Sequence, residues 1–321
     1  MSANSVPDRE AIGIDVGGTK IAAMRIRPDG EIVARETVPT PADDMDETLR
    51  SMIAAAEAVR TAAVAVIGVG AAGLVEKGTG ILTFAPNLAW RNVPISERVG
   101  GALGLPTITE NDANAAAWGE HRFGAGRGHD DMLLVTVGTG IGGGVVAGGK
   151  VFRGAHGFAA EIGHIIVEPG GPVCGCGNRG CWEQVASGHA IARSGRQAVV
   201  DHPNSGIAQR VAGDPAKVTG RVVTEAAADG DLVARGILAV VGSRLGEGIA
   251  GLVNVLDPAI VVVGGGAIAA GEMLLATARV AFTEAVEAPD HRPEVPIVAA
   301  ELGNDAGAVG AAALALEELP G

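Results

Sequence analysis

The run Ala11-Ile12-Gly13-Ile14-Asp15-Val16-Gly17-Gly18-Thr19-Lys20 is a short apolar stretch that stops at paired glycines. That is the pattern of a buried strand entering a tight turn. Ile21 to Ile26 follows, then Asp29-Gly30, then Glu31 to Thr37. An Asp-Gly pair between two strand-like runs is a hairpin turn, so residues 11–37 read as a three-stranded meander. The signature returns downstream, where Val135-Thr136-Val137-Gly138-Thr139-Gly140 aligns with Ile14 to Thr19. A repeated supersecondary unit predicts two similar half-domains.

Between and after these repeats, strands alternate with helices. Asp44 to Arg60 carries Met45, Leu49, Met52, Ile53 and Ala56 at helical spacing, and Val64 to Val69 is an apolar strand. Thr107 to Glu110 is a short strand, and Asn111 to Phe123 opens with Asn and Asp before an Ala-rich run, an N-cap signature. Asp231 to Val255 is a long helix with Leu238, Val241, Leu245, Ile249 and Leu252 on one face. Ala259 to Val263 is an apolar strand running into Gly264-Gly265-Gly266, and Asp305 to Glu318 is an Ala-rich closing helix. The alternation indicates α/β architecture. The 321 residues suggest two domains. The expected division is a smaller N-terminal domain, residues 1–115 plus 304–321, and a larger one, residues 116–303, with the hinge near residue 115 and the last helix returning to the first domain.

Composition narrows the function. A net charge of −13 opposes a nucleic-acid surface, and 2% aromatics with no Tyr leave no base-stacking platform. Met1 to Glu10 is polar, without the apolar segment of a signal peptide. Met132 to Gly149 carries no charge, but its glycines and threonines suit a buried hairpin better than a membrane span. The expectation is a cytoplasmic protein with no membrane and no nucleic-acid partner.

Four glycine clusters follow strands: Gly17-Gly18, Gly68 to Gly73, Gly138 to Gly143, and Gly264-Gly265-Gly266. Such turns either expose backbone N–H groups that cradle phosphate or are simply tight. Residues 68–73 and 138–143 satisfy G-x-G-x-x-G, but neither continues into a helix, which excludes a dinucleotide-binding reading. Gly13 to Lys20 approaches a Walker A motif, yet Thr19 stands where Gly should precede the Lys. Asp15, at a strand end beside such a turn, suits a hard divalent cation such as Mg²⁺ held against nucleotide phosphates.

Cys174, Cys176 and Cys181 are the three cysteines of the chain, and His164 precedes them. Three thiolates and an imidazole suit tetrahedral zinc, and a closed four-ligand shell is structural. Glu161 and Glu183 flank the loop that such an ion would order. Glu110-Asn111-Asp112-Ala113-Asn114 places more polar side chains at a strand-to-helix junction than capping needs. A carboxylate there, Asp112, is placed to take a proton from an alcohol attacking phosphorus.

Taken together, Asp15 to Lys20, Glu110 to Asn114, Thr136 to Gly144, and Glu161-Ile162-Gly163-His164 through Cys174 to Glu183 resemble the ROK family of bacterial sugar kinases and repressors, over about residues 11–315. The resemblance implies the actin-like, ribonuclease-H-like ATPase fold with an interdomain cleft, and ATP-dependent phosphorylation of glucose at O6. It implies Asp112 as base and Asn87, Asn111, Glu161, His164 and Glu183 as sugar ligands, with one His164 nitrogen on zinc and the other on sugar. It implies Asp15, Gly17, Gly18, Thr19, Lys20, Gly138, Thr139 and Gly140 around the ATP phosphates and Mg²⁺. Asn254 to Pro258 and Gly264, Gly265 and Gly266 would lie near the nucleoside. Fructose, mannose and N-acetylmannosamine kinases, a polyphosphate donor and a sugar-sensing repressor stay open within the family, as does a homodimer or homotetramer. Ala160 replaces a glycine common in the family, a departure that bears on sugar preference.

Overall fold

The computed structural model describes residues 9–85 and 90–318. The chain runs β1 (Glu10–Val16), β2 (Lys20–Ile26), β3 (Ile32–Pro39), α1 (Met45–Val59), β4 (Val64–Ala71), β5 (Leu74–Val75), β6 (Ile81–Phe84), β7 (Arg91–Pro94), α2 (Ile95–Leu103), β8 (Thr107–Asn111) and α3 (Asp112–Phe123). It continues through β9 (Met132–Val137), β10 (Ile141–Ala147), β11 (Lys150–Val151), α4 (Glu183–Ala186), α5 (Gly188–Asp201), α6 (Gly206–Arg210), α7 (Gly220–Ala228) and α8 (Leu232–Leu256). Last come β12 (Ile260–Gly264), α9 (Glu272–Ala285), β13 (Ile297–Ala299) and α10 (Ala306–Glu318).

One sheet has the order β3-β2-β1-β4-β8 and a second the order β11-β10-β9-β12-β13. The two orders correspond strand for strand, which bears out the repeat read from the glycine turns. β1, β2 and β3 form the antiparallel meander, with Gly30 at φ +88° in its second turn. β4 then adds parallel to β1, and β8 parallel to β4.

Among the described residues the chain forms two compact units. The first holds those up to Leu134, Gly144–Ala160 and those from Ala300 on; the second holds Val135–Gly143 and Glu161–Ala299. In the first, large and small residues alternate along β1 and β4. Ile12, Ile14, Val16, Ile67 and Val69 face one way and join Leu49, Met52 and Ala56 of α1 in one core. Ala11 and Val66 face the other way, toward Ala308, Val309 and Ala312 of α10. Gly13 and Gly68 share that second face, and a methyl on either would overlap the carbonyl of Ala308 or Ala311. The helix backbone therefore lies directly on the sheet. Its other side meets α3, where a methyl on Gly310 would overlap the Ala115 carbonyl.

This packing explains why the division differs from the break expected near residue 115. That position falls inside α3, a continuous helix. Gly119 and Gly310 bring α3 and α10 too close to belong to separate bodies. The first unit accordingly keeps α3 through to Leu134, takes Gly144–Ala160, and resumes at Ala300 rather than 304. α10 belongs to the first unit.

In the second unit α8 is long and apolar enough to cross a bilayer. Here it is a core helix: Leu238, Val241, Leu245 and Ile249 are buried, and α8 packs on α9, α7 and α5. Gly242 and Gly246 admit the backbone of α9 at Leu274 and Ala278.

Gly310→Ala should lower the unfolding free energy by about 1–3 kcal/mol or more, because the obstructing atom is a backbone carbonyl. Gly101→Ala, where an added methyl meets nothing within 4 Å in α2, should be neutral or stabilising by about 0.5–1 kcal/mol. Urea denaturation of both variants checks the contrast, and equal stabilities would contradict the packing argument.

Candidate active site and metal centre

β1 carries Asp15 on the face it shares with Gly13. Gly307 of α10 stands beside it, and a methyl there would come within 3.1 Å of the Asp15 carboxyl carbon. β8 ends at Asn111, whose extended backbone turns into α3. The Asn111 Oδ1 accepts from the N–H groups of Ala113 at 2.9 Å and Asn114 at 3.0 Å, while its Nδ2 donates to the Gly73 carbonyl at 3.1 Å. Asn111 is thus both the N-cap of α3 and a tie to the segment after β4. Asp112 is the first helical residue, and its Oδ1 accepts from Ala113 N at 2.9 Å.

Burial pushes the Asp112 carboxyl above the usual carboxylate range, against the pull of the Ala113 and Asp112 backbone N–H groups. Asp15 is raised to about 7, chiefly by burial and then by the charge of Asp112, with Lys20 opposing. Two desolvated carboxylates that feel one another are the donor set a divalent cation relieves. The turn after Asp15 is closed by Gly17 N–H to the Lys20 carbonyl at 3.1 Å. Thr40 ties it down, with Oγ1 donating to the Gly17 carbonyl at 2.7 Å and N–H to the Thr19 carbonyl at 3.1 Å.

In the second unit the Gly138–Gly140 turn is closed by Gly138 N–H to the Gly140 carbonyl at 3.0 Å. The start of α5 seals its back: Gly188 and His189 donate to the carbonyls of Gly138 and Thr139 at 2.8 and 3.1 Å. Gly265, at φ +88°, lies against the backbone of Val137, so the turns after β9 and β12 come together. The Glu183 carboxylate covers Gly140, where a side chain would collide with it.

His164, Cys174, Cys176 and Cys181 bring one ligand atom each within 4.8 Å of all the others. The His164 Nδ1 lies 3.5 Å from Cys174 Sγ, and Cys176 Sγ lies 3.6 Å from Cys181 Sγ. Zinc–sulfur bonds of about 2.3 Å in a tetrahedron put donor atoms about 3.8 Å apart, so the cluster fits one zinc ion. Without a cation, burial holds the Cys174 thiol up at about 12 and raises Cys181. At Cys176 burial is outweighed by hydrogen bonds from the Asn178 backbone and the other two thiols, which lower it. A bound dication reverses the cost of ionising them. The loop closes through Cys174 N–H to the Asn178 carbonyl at 2.8 Å. Gly180, at φ +75°, takes a position where a side chain would overlap the Glu168 carbonyl. Beside Cys181, the buried Trp182 donates its indole N–H to the Arg244 carbonyl of α8 at 2.9 Å. Glu183 Oε1 accepts from Cys174 Sγ at 3.0 Å.

Among the other expected residues, Asn87 lies outside the described residues. Glu161 is exposed and leads into the short turn Ile162–His164. Ala160 before it has φ +66°, the conformation glycine prefers, so the departure from the family pattern leaves a strained residue. Asn254 is engaged structurally: its Oδ1 accepts from Glu287 N at 3.1 Å and Arg292 at 3.2 Å. Sequence reasoning missed Arg153, which ion-pairs with Glu110 beside the Asn111–Asp112 junction. It also missed Glu120, fully buried, which accepts from the N–H groups of Ala125, Glu301 and Leu302. Nothing local marks either residue.

A ROK family profile matches residues 11–318. A glucokinase of Streptomyces coelicolor is 41% identical over 96% of this chain and 98% of its own. An N-acetylmannosamine kinase of Escherichia coli is 36% identical over 96% of this chain and 98% of its own. The crystal structure of a ROK family glucokinase from Streptomyces griseus, in complex with glucose and AMPPNP, superimposes with a TM-score of 0.88 at 42% identity, covering 96% and 99% of the two chains. The actin-like sugar-kinase fold expected from the motifs is the fold observed.

Metal analysis should find one zinc per chain, and chelation should lower the thermal midpoint. An unchanged midpoint in metal-free protein would remove zinc from the scaffold. A carboxyl whose folded pKa is raised contributes stability below its unfolded value and loses it as pH rises through the folded one. Asp15 therefore weakens the cation-free fold between about pH 4 and about pH 7. Asp15→Asn should raise the Mg²⁺-free thermal midpoint at pH 8 and leave it nearly unchanged at pH 4; equal shifts at both would contradict the assignment.

Proposed function

Because the chain belongs to the ROK family, we propose that it is a cytoplasmic, ATP-dependent glucokinase, homodimeric or homotetrameric, that phosphorylates D-glucose at O6. Near-full-length similarity to a glucokinase, and to a glucokinase structure holding glucose and an ATP analogue, supports this substrate pair. The observation that carries the reading is the carboxylate of Asp112 at the head of α3, desolvated and raised above its ordinary range. Such a group is a stronger base than a free aspartate.

In the proposed reaction Asp112 accepts the proton of the glucose 6-hydroxyl as O6 bonds to the γ-phosphorus. The bond from that phosphorus to the bridging oxygen of ADP breaks, ADP departs, and the proton passes to solvent. The transition state is loose, so positioning and charge neutralisation supply most of the acceleration. Asn87, Asn111, Glu161, His164 and Glu183 hold sugar hydroxyls. Asp15, Gly17, Gly18, Thr19 and Lys20, with Gly138, Thr139 and Gly140, face the phosphates, and Gly264, Gly265 and Gly266 the nucleoside. Mg²⁺ on Asp15 would neutralise phosphate charge. A zinc ion held by His164, Cys174, Cys176 and Cys181 would have no open position for substrate, and would serve to order His164 and Glu183. The Nδ1 of His164 faces the thiols, which leaves Nε2 for the sugar.

Asp112→Asn should lower kcat by at least about 100-fold with a smaller change in KM for glucose. Near-wild-type turnover would refute the base assignment. A coupled ADP-release assay across glucose, mannose, fructose and N-acetylmannosamine, repeated with polyphosphate as donor, should rank glucose with ATP first. A panel led by N-acetylmannosamine would transfer the assignment to the E. coli relative's activity.

A further inference from the structure

We propose that Arg153 is a positioning residue for Asp112, acting through Glu110. The inference rests on Asp112 being the base. Glu110 is buried at the end of β8, and its two carboxylate oxygens do different jobs. Oε1 accepts from the Asn111 N–H at 2.9 Å and from the Asn114 Nδ2 at 3.0 Å. It therefore grips the chain on both sides of Asp112, once at the cap and once in the first turn. Oε2 is paired with the Arg153 Nε. The second arm of the same guanidinium reaches Glu318, in the last turn of α10, at 2.6 Å. Arg153 thus bridges the strand that delivers the base and the helix that packs beneath it. The Arg153 carbonyl accepts from Ala159 N at 3.3 Å, which fixes the loop that presents it.

The electrostatics favour this arrangement over a decorative ion pair. Burial opposes the charge on Arg153, but Glu110 and Glu318 together more than offset it. An unpaired carboxylate at Glu110 would sit buried beside Asp112, and a protonated one would lose a hydrogen-bond acceptor. In either case the Asn111 N–H and the Asn114 amide lose a firm anchor and the helix head drifts. A displacement of about 1 Å at a reacting group costs up to about 100-fold in rate. Arg153 borders a cavity of about 400 Å³, lined also by Thr79, Ser96, Thr109 and Glu110, so its side chain can be shortened without overpacking.

The test is a double-mutant cycle on the full-length enzyme, with zinc content matched. Arg153→Met should lower kcat by about 10- to 100-fold while KM for ATP changes less than about twofold. Arg153→Lys should recover part of the loss. In the Asp112→Asn background, Arg153→Met should cost nothing further, because there is no base left to aim. Should Arg153→Met fold poorly, Arg153→Ala supplies the second readout: methylguanidinium entering the enlarged cavity should restore turnover in a saturable manner. Multiplicative losses in the double mutant, or wild-type kcat in Arg153→Met, would overturn the role of Arg153 alone. A harmless Asp112→Asn would overturn the base assignment and this inference with it.

Discussion

The contact on which the first unit depends is backbone against backbone. α10 comes down onto β1 and β4 at Gly13 and Gly68, whose missing side chains leave room for the carbonyls of Ala308 and Ala311. The same helix meets α3 at Gly119 and Gly310. Close approach of this kind gains dispersion over many atom pairs and tolerates no added methylene. It also sets the site. Gly307 brings the start of α10 against Asp15, and the α3 contact fixes the helix whose head carries Asp112. Burial raises both carboxyls.

The second unit solves a different problem, the ordering of a glycine-rich loop with little apolar surface of its own. Four donor atoms gathered within 4.8 Å fit a single ion, which would anchor the loop. Trp182 carries the anchor into the core by filling the space left at Gly248 of α8. Glu183, the next residue, touches Cys174 on one side and covers Gly140 on the other. The metal loop and the glycine turn after β9 are thereby one piece of structure, and ordering the first orders the second.

Much of this was readable along the chain because the signals are local. Asp-Gly and paired glycines mark turns whatever surrounds them, and Asn111 caps α3 as its neighbours suggest. The thiol cluster was legible because ligands for one ion must be close, and closeness in sequence is a cheap way to arrange it. The division into units, which keeps α3 whole in the first, depends on how α3 meets α10, and no local pattern near Ala115 reports that contact. Arg153 was invisible for the same reason: its partner Glu110 lies 43 residues away.

By itself, then, the amino-acid order determined the strand-and-turn repeat, the capped helix head with its carboxylate, the set of zinc donors and the family motifs. Those features need only the chemistry of a few adjacent residues. Tertiary structure decided which sheet face admits the helix backbone, where the units divide, in which direction Asp15 and Asp112 depart from ordinary acids, and which arginine pairs with Glu110. Each of these depends on burial, and burial is a property of elements brought together from distant parts of the chain.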